Sequence, residues 1–488
     1  MPFVVSYTNN TRKDNEVKEY SSAIHDYIQS NRQNIVSMLS HLVRIPSVYE
    51  EGKEGAIFGE ACRDAVLHAE ALYKEVGLDT FTNKDCAYTL GRTQGDDKVI
   101  GIFTHADVVS AVEEDWILTK PFEPIEKDGF LVGRGAEDNK SGIVSAIWAV
   151  KAMKHAGVMP KSTLLIYSGG NEEGGMCDLE YFEKEQTLPD VAIVPDNEYP
   201  VCRGEKGILR FWASFRTPFE TVISINGGQA LNIVLGSVRC EMKYSEALLK
   251  ELHKACDGKS EYTLTAGDTI VLTAKGKSTH AAYSEGSVNA LWVMIQALKT
   301  CKSLGNDLAI LKNAEMLVAD PFSETVGLGT SDTTFKKTTC TNGVVMVTDG
   351  CLKLSFDTRY GTEVDVDTFV RGYQGLLDKM DADCQVVERN DGYVIPENSP
   401  IIESMTQAWY SVTGDDSKPV VSYGGTYARH LKNAVSIGTF IPTTPKLDLP
   451  DGHGGIHQPD EVIDIDGLLK SIEVITHMIL KADEALHA

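Results

Sequence analysis

Val99-Ile100-Gly101-Ile102-Phe103 runs directly into Thr104-His105-Ala106-Asp107, and the fold turns on how this stretch is read. A short apolar run without polar alternation is the pattern of a strand buried on both faces. Three more runs of the same kind lie at Thr163–Tyr167, Val191–Val194 and Val435–Phe440. Ile143 to Met153 has helical spacing, and Gly157 supplies a C-terminal stop. Strands alternating with helices predict an α/β fold with a mostly parallel sheet. Upstream, Ile24, Tyr27, Ile28, Ile35, Met38, Leu39 and Leu42 recur at spacings of three and four, which predicts one helix from about Ser21 to Ser47, stopped by Pro46.

The middle of the chain reads differently. Thr269–Thr273 and Leu352–Asp357 look like strands, the second in strict alternation as for a sheet with one face in water. Val288 to Leu298 between them is helical. An α+β domain inserted at 205–394 is therefore expected, with 1–204 and 395–488 completing one α/β domain. Residues 1–18 are polar and read as a loosely held extension.

Composition sets the bounds. With 488 residues and 42% hydrophobic content the chain can bury ample cores. Lys and Arg total 46 against 70 Asp and Glu, a net charge of −24 that argues against nucleic acid and against an anionic membrane surface. No apolar run is long enough for a transmembrane helix. The N-terminus lacks the basic and apolar regions of a signal peptide, so a cytoplasmic protein is expected. The ten cysteines are scattered without a CxxC pair, as for free thiols in a reducing compartment.

The chemistry gathers where the strands end. The first is followed by His105 and Asp107, the second by Glu172 and Glu173, the third by Asp196, and Asp138 precedes the helix between the first two. Taken singly, each has an ordinary reading: a polar strand end, a solvated turn, a helix N-cap. Together they fall at one end of one sheet, where open α/β sheets bind ligands. Imidazole and carboxylates without a thiolate suit a catalytic zinc-like ion. Rival motifs are missing: Val271 stands where a P-loop ending in Gly276-Lys277-Ser278 needs glycine, and neither a dinucleotide fingerprint nor a G-x-S-x-G elbow occurs.

At these residues the sequence resembles the M20 family of di-zinc peptidases and amidohydrolases, in particular its PepV-like, carnosinase-type dipeptidase branch. The matching motifs are His105-Ala106-Asp107, Gly135-Ala136-Glu137-Asp138-Asn139-Lys140, Glu172-Glu173, Asp196, Gly424-Gly425-Thr426-Tyr427-Ala428-Arg429 and His457-Gln458-Pro459-Asp460-Glu461. The resemblance implies a zinc-exopeptidase-type catalytic domain with an inserted lid. It implies two Zn²⁺, with Mn²⁺ or Co²⁺ as other suitable occupants. Asp138 would bridge them, His105 and Asp196 would complete one site, and Glu173 and His457 the other. His453 is a rival to His457 but lacks the Pro-Asp-Glu tail. Asp107 would orient His105, and Glu172 would be the general base. In the lid, His280 would stabilise the oxyanion, and Arg359 and Asn232 would bind substrate, as would Gly424, Gly425 and Arg429. Ala281-Ala282-Tyr283-Ser284 and Tyr423 depart from the family pattern and bear on pocket shape. The long lid implies a monomer.

The expected activity is hydrolysis of dipeptides with a free C-terminal carboxylate, with a small peptide as the only partner. An N-acyl-amino-acid deacylase or desuccinylase uses the same chemistry and is the first alternative. A non-catalytic peptide-binding protein on the same fold is the second, disfavoured by the intact base and ligand set.

Overall fold

The computed structural model describes residues 20–228, 230–443 and 446–488. The polar extension read at 1–18 lies outside them. The chain forms two compact units. One holds the described residues up to Gly204 with Ile395–Val420 and Thr426–Ala488; the other holds Glu205–Val394 and Val421–Gly425.

The first unit is built on a sheet whose centre is parallel. Strand Val99–His105 pairs in parallel with Thr163–Gly169 on one side and Val191–Asn197 on the other, and Ala434–Gly438 continues the parallel set beside Val191–Asn197. Asp79–Thr82 and Tyr88–Arg92 extend the other edge antiparallel. Val99–His105 is followed in the chain by its neighbour on one side, Thr163–Gly169, and then by its neighbour on the other, Val191–Asn197, so the strand order reverses about Val99–His105. This is the switch point at which doubly wound sheets open a crevice. The four apolar runs become strands because β-branched side chains fill both buried faces.

Helix Lys140–Ala156 is buried along most of its length and ends at Gly157, whose φ of +70° closes it in the left-handed conformation. Helix Ile465–Leu486 packs on it and on Pro400–Thr413. One continuous core joins Ile100, Ile102, Ile147, Trp148, Ile193, Val435 and Ile475. The single helix expected from Ser21 to Ser47 is instead two, covering 20–30 and Arg32–Val43. Asn31 interrupts it, its side-chain amide donating to the Tyr27 carbonyl at 2.8 Å in competition with the backbone ladder.

The second unit is α+β, with its own core. One antiparallel sheet has the order Thr339–Thr348, Cys351–Tyr360, Gly207–Phe215, Ala382–Asn390, and another Val222–Asn226, Ser237–Lys243, Thr269–Lys275, Tyr262–Ala266. The alternation of Leu352–Asp357 predicts one wet face, but every residue from Ser355 to Tyr360 is buried. Polar partners replace water there. Ser355 Oγ accepts the Val344 N–H at 2.8 Å, and Asp357 accepts Arg210 Nε at 2.8 Å and Arg359 Nε at 2.6 Å. All ten cysteines are free thiols.

Candidate metal centre

Four of the ligand-type residues in the first unit leave from a strand end or the turn beyond it, and two come from the loops before a helix and a strand. His105 ends Val99–His105, and Asp196 lies near the end of Val191–Asn197. Glu172 and Glu173 follow Thr163–Gly169, and Asp138 precedes helix Lys140–Ala156. His457 arrives from the loop before the short strand Val462–Asp464.

Two groups result: His105, Asp138 and Asp196, and Asp138, Glu173 and His457. Asp138 belongs to both and divides its oxygens between them. Oδ1 lies 3.0 Å from His105 Nε2, and Oδ2 lies 3.0 Å from His457 Nε2. Asp196 Oδ1 is 3.7 Å from His105 Nε2, and Glu173 Oε1 is 2.9 Å from His457 Nε2. His105 is buried, and its Nδ1 lies 3.0 Å from the Asp107 carbonyl, an acceptor that holds a proton on Nδ1 and leaves Nε2 as the ring atom facing the carboxylates. His453 is held elsewhere, its Nδ1 2.7 Å from Asp460 Oδ2.

Four carboxylates crowd here with two imidazoles. Burial raises Glu172 well above the ordinary carboxylate range, and Asp196 adds to it. Burial and Asp138 push Glu173 up to about 7, with His457 opposing. Burial pushes Asp196 up to about 6 against the pull of His105. Asp138 goes the other way: burial would raise it, but His105 and His457 hold it well below the usual range. So much buried negative charge needs cationic counter-charge. The oxygen and imidazole donors, the thiolate-free set and the shared Asp138 all fit divalent metal ions.

The supports include residues to which the sequence reading gave no role, and Asp107 does more than face His105. Its carboxylate accepts the backbone N–H groups of Glu172 and Glu173, both at 3.0 Å, while its Oδ1 lies 3.4 Å and its carbonyl 3.0 Å from His105 Nδ1. Buried Glu461 accepts the N–H groups of Gly135 at 3.1 Å, Glu137 at 2.9 Å and Asp138 at 3.1 Å, and Arg134 Nη1 at 2.6 Å. The Asn139 amide donates to Asp196 Oδ1 at 2.9 Å and to the Pro195 carbonyl. Asp460 accepts Leu118 N–H at 2.8 Å. Asn139 and Glu461 stand inside the quoted motifs, which is the signal that could have found them.

The remaining site candidates divide between the units. In the second, Asn232 Nδ2 lies 3.5 Å from His280 Nε2, and Ile233 bridges to His280 through the backbone. His280 Nδ1 accepts the Ala282 N–H at 3.2 Å, which puts the ring proton of the neutral imidazole on Nε2. Arg359 is buried, with Nε and Nη2 bonded to Asp357 at 2.6 and 3.2 Å. Gly424 and Gly425 also belong to the second unit, where the Gly424 N–H donates to Ser422 Oγ at 3.1 Å. Arg429 belongs to the first, in the 3₁₀ turn Tyr427–His430.

An α/β sheet carrying a carboxylate-shared imidazole and carboxylate set at its switch point is the framework of a metalloenzyme. Residues 101–481 match peptidase family M20/M25/M40, and the chain belongs to that family of metallopeptidases. It is 26% identical over 480 residues to a Staphylococcus saprophyticus protein named "Putative dipeptidase", covering 93% of this chain and 98% of that one. The fold resembles that of the di-peptidase Dug1p from Saccharomyces cerevisiae, with a TM-score of 0.59, 15% identity and coverage of 96% and 99%. It also resembles human carnosine dipeptidase 1, with a TM-score of 0.57, 15% identity and coverage of 95% and 99%. Among the described residues no helix is long and apolar enough to cross a membrane.

Proposed function

We propose that this metallopeptidase is a dipeptidase that hydrolyses small peptides with a free C-terminal carboxylate. The observation that carries the metal chemistry is Asp138, whose two oxygens face two separate imidazoles, each with a further carboxylate beside it. His105, Asp138 and Asp196 would hold one divalent ion, and Asp138, Glu173 and His457 a second, as Zn²⁺ or with Mn²⁺ or Co²⁺ in its place. Such ions supply Lewis acidity to a peptide carbonyl and acidify water.

The chain's own groups do the rest. Glu172, buried and fixed through its backbone by Asp107, takes a proton from the attacking water and returns it to the leaving amine. His280 offers its Nε2–H to the carbonyl oxygen as charge develops there, with Asn232 beside it. Arg359 Nη1 lies outside the two bonds to Asp357 and is the donor for the terminal carboxylate. The dipeptide reading is supported by the staphylococcal relative's name and by the length over which that relative aligns.

The test is hydrolysis of a dipeptide panel beside N-acetyl and N-succinyl amino acids, on metal-loaded protein with a chelated control. Chelator-sensitive cleavage of free dipeptides is expected. Cleavage of the acylated amino acids alone would assign a deacylase instead. Glu172→Gln is expected to lower kcat by about 10²-fold or more while metal stoichiometry by elemental analysis stays at the wild-type value.

A further inference from the structure

Two tyrosines from distant parts of the second unit meet. Tyr283 closes the 3₁₀ turn Ala281–Tyr283, and Tyr423 sits in the returning segment Val421–Gly425. Their rings stack with centroids 5.6 Å apart and 25° between planes. Tyr283 is 59% exposed, so the stack presents aromatic surface to water. An exposed ring held in place by a second ring is a preformed apolar surface with little conformational freedom to lose on binding.

The ends of this surface differ chemically. At one end the Tyr283 ring centroid is 6.3 Å from that of His280. At the other, Lys206 Nζ lies 4.1 Å over the Tyr423 ring. The Lys206 N–H donates to the Ser422 carbonyl at 3.1 Å, which ties Tyr423's segment to the start of strand Gly207–Phe215. In that strand Gly207 and Ile208 pair with Tyr360 and Arg359. The rings thus run from an imidazole to the buried ammonium of Lys206, which donates to the Lys337 carbonyl, with Arg359 close by in the register.

A dipeptide has matching polarity. Its scissile carbonyl and terminal carboxylate are separated only by the nitrogen and Cα of the C-terminal residue, so that residue's side chain departs from between the two recognised groups. We propose that Tyr283 and Tyr423 form a shelf that receives the side chain of the substrate's C-terminal residue and selects large apolar, above all aromatic, residues there. The inference rests on the dipeptidase reading and on the roles given to His280 and Arg359.

The test compares kcat/KM for Ala-Phe, Ala-Tyr, Ala-Ala and Ala-Gly on the metal-loaded full chain, for wild type, Tyr283→Ala, Tyr283→Phe and Tyr423→Leu. Wild type is expected to favour Ala-Phe over Ala-Gly by about tenfold or more. Tyr283→Ala is expected to cut that ratio by about tenfold, Tyr423→Leu to cut it as well, and Tyr283→Phe to preserve it. The readout is a ratio of two substrates on one preparation, so a change in the folded fraction cancels. Dipeptide cleavage with a ratio that Tyr283→Ala leaves intact, or a wild-type preference for Ala-Gly, overturns the shelf and leaves the dipeptidase reading standing. No cleavage of any dipeptide overturns both.

Discussion

Glu461 shows how much of the metal centre depends on a residue outside both ligand groups. Its carboxylate gathers three backbone N–H groups of the 135–138 turn and the buried Arg134 guanidinium. The turn delivers Asp138, so the position of the shared carboxylate is set by an acceptor that lies four residues after His457. Gly135 has φ at +82°, and a Cβ there would come within 2.6 Å of Val108 Cγ1, so this turn admits only glycine without displacement. Glu461→Gln keeps the size but lacks the charge that offsets Arg134. It is expected to weaken metal binding about 10–100-fold by calorimetric titration, with full stoichiometry regained at high metal concentration. Glu461→Ala also strands a buried guanidinium and should cost about 3–5 kcal/mol in urea unfolding. Unchanged metal affinity in Glu461→Gln would refute the positioning role. None of this follows from charge or spacing, because a glutamate in a C-terminal motif reads equally well as ligand, cap or surface charge.

Elements were legible to the degree that their surroundings are uniform. The four parallel strands are buried along their apolar stretches, and their runs of Val, Ile and Leu announce it, while their ends carry the polar groups of the site. The break at Asn31 was hidden because apolar spacing continues across it, while the competing hydrogen bond belongs to one side chain. The buried polar end of Cys351–Tyr360 was hidden because alternation reports polarity, and ion pairs can take the place of water. Likewise five residues, 421–425, are too few to show any period, yet they belong to the second unit.

Helix Ile465–Leu486 carries a prediction of its own. His477 is buried on it, with the Tyr20 ring 5.9 Å away and Lys481 one turn on. Glu473, one turn back, is engaged by His25 Nδ1 at 2.8 Å. Burial, then Lys481, pulls the imidazole down to about 4 from 6.5. Above pH 6.5 the ring is neutral folded or unfolded, and it adds no pH dependence. Between 6.5 and 4 the unfolded chain binds a proton that the folded chain refuses, so stability falls as pH falls, by up to about 3 kcal/mol at pH 4 and below. His477→Gln should remove that share. Its unfolding free energy relative to wild type, followed by urea melts from pH 7 to 4, is expected to rise as the pH drops. A constant difference across the range would place the ring's ordinary protonation inside the folded helix.

At the scale of the whole molecule, the two units differ in their share of the metal centre, and metal removal can read that difference. Every residue of both ligand groups lies in the first unit, and each unit buries a separate apolar core. An ion that binds only the folded first unit stabilises it by mass action, about 2.7 kcal/mol at a free concentration of 100 Kd. It also relieves the repulsion among Glu172, Glu173, Asp138 and Asp196, which the two imidazoles alone do not balance. A chain with two cores need not melt in one step. Calorimetric melting of chelated and Zn²⁺-loaded protein is therefore expected to show one transition that climbs with metal concentration and another that stays put. In Asp138→Asn, where both groups lose their shared anion, the moving transition should lose most of its metal response. A single transition that shifts as a whole would mean that the two cores unfold together, and the ion bound at the sheet would then stabilise both units. If neither transition responds to Zn²⁺, Mn²⁺ or Co²⁺, the carboxylate cluster does not hold these ions in the folded chain, and the metal assignment fails on thermodynamic grounds before any substrate is added.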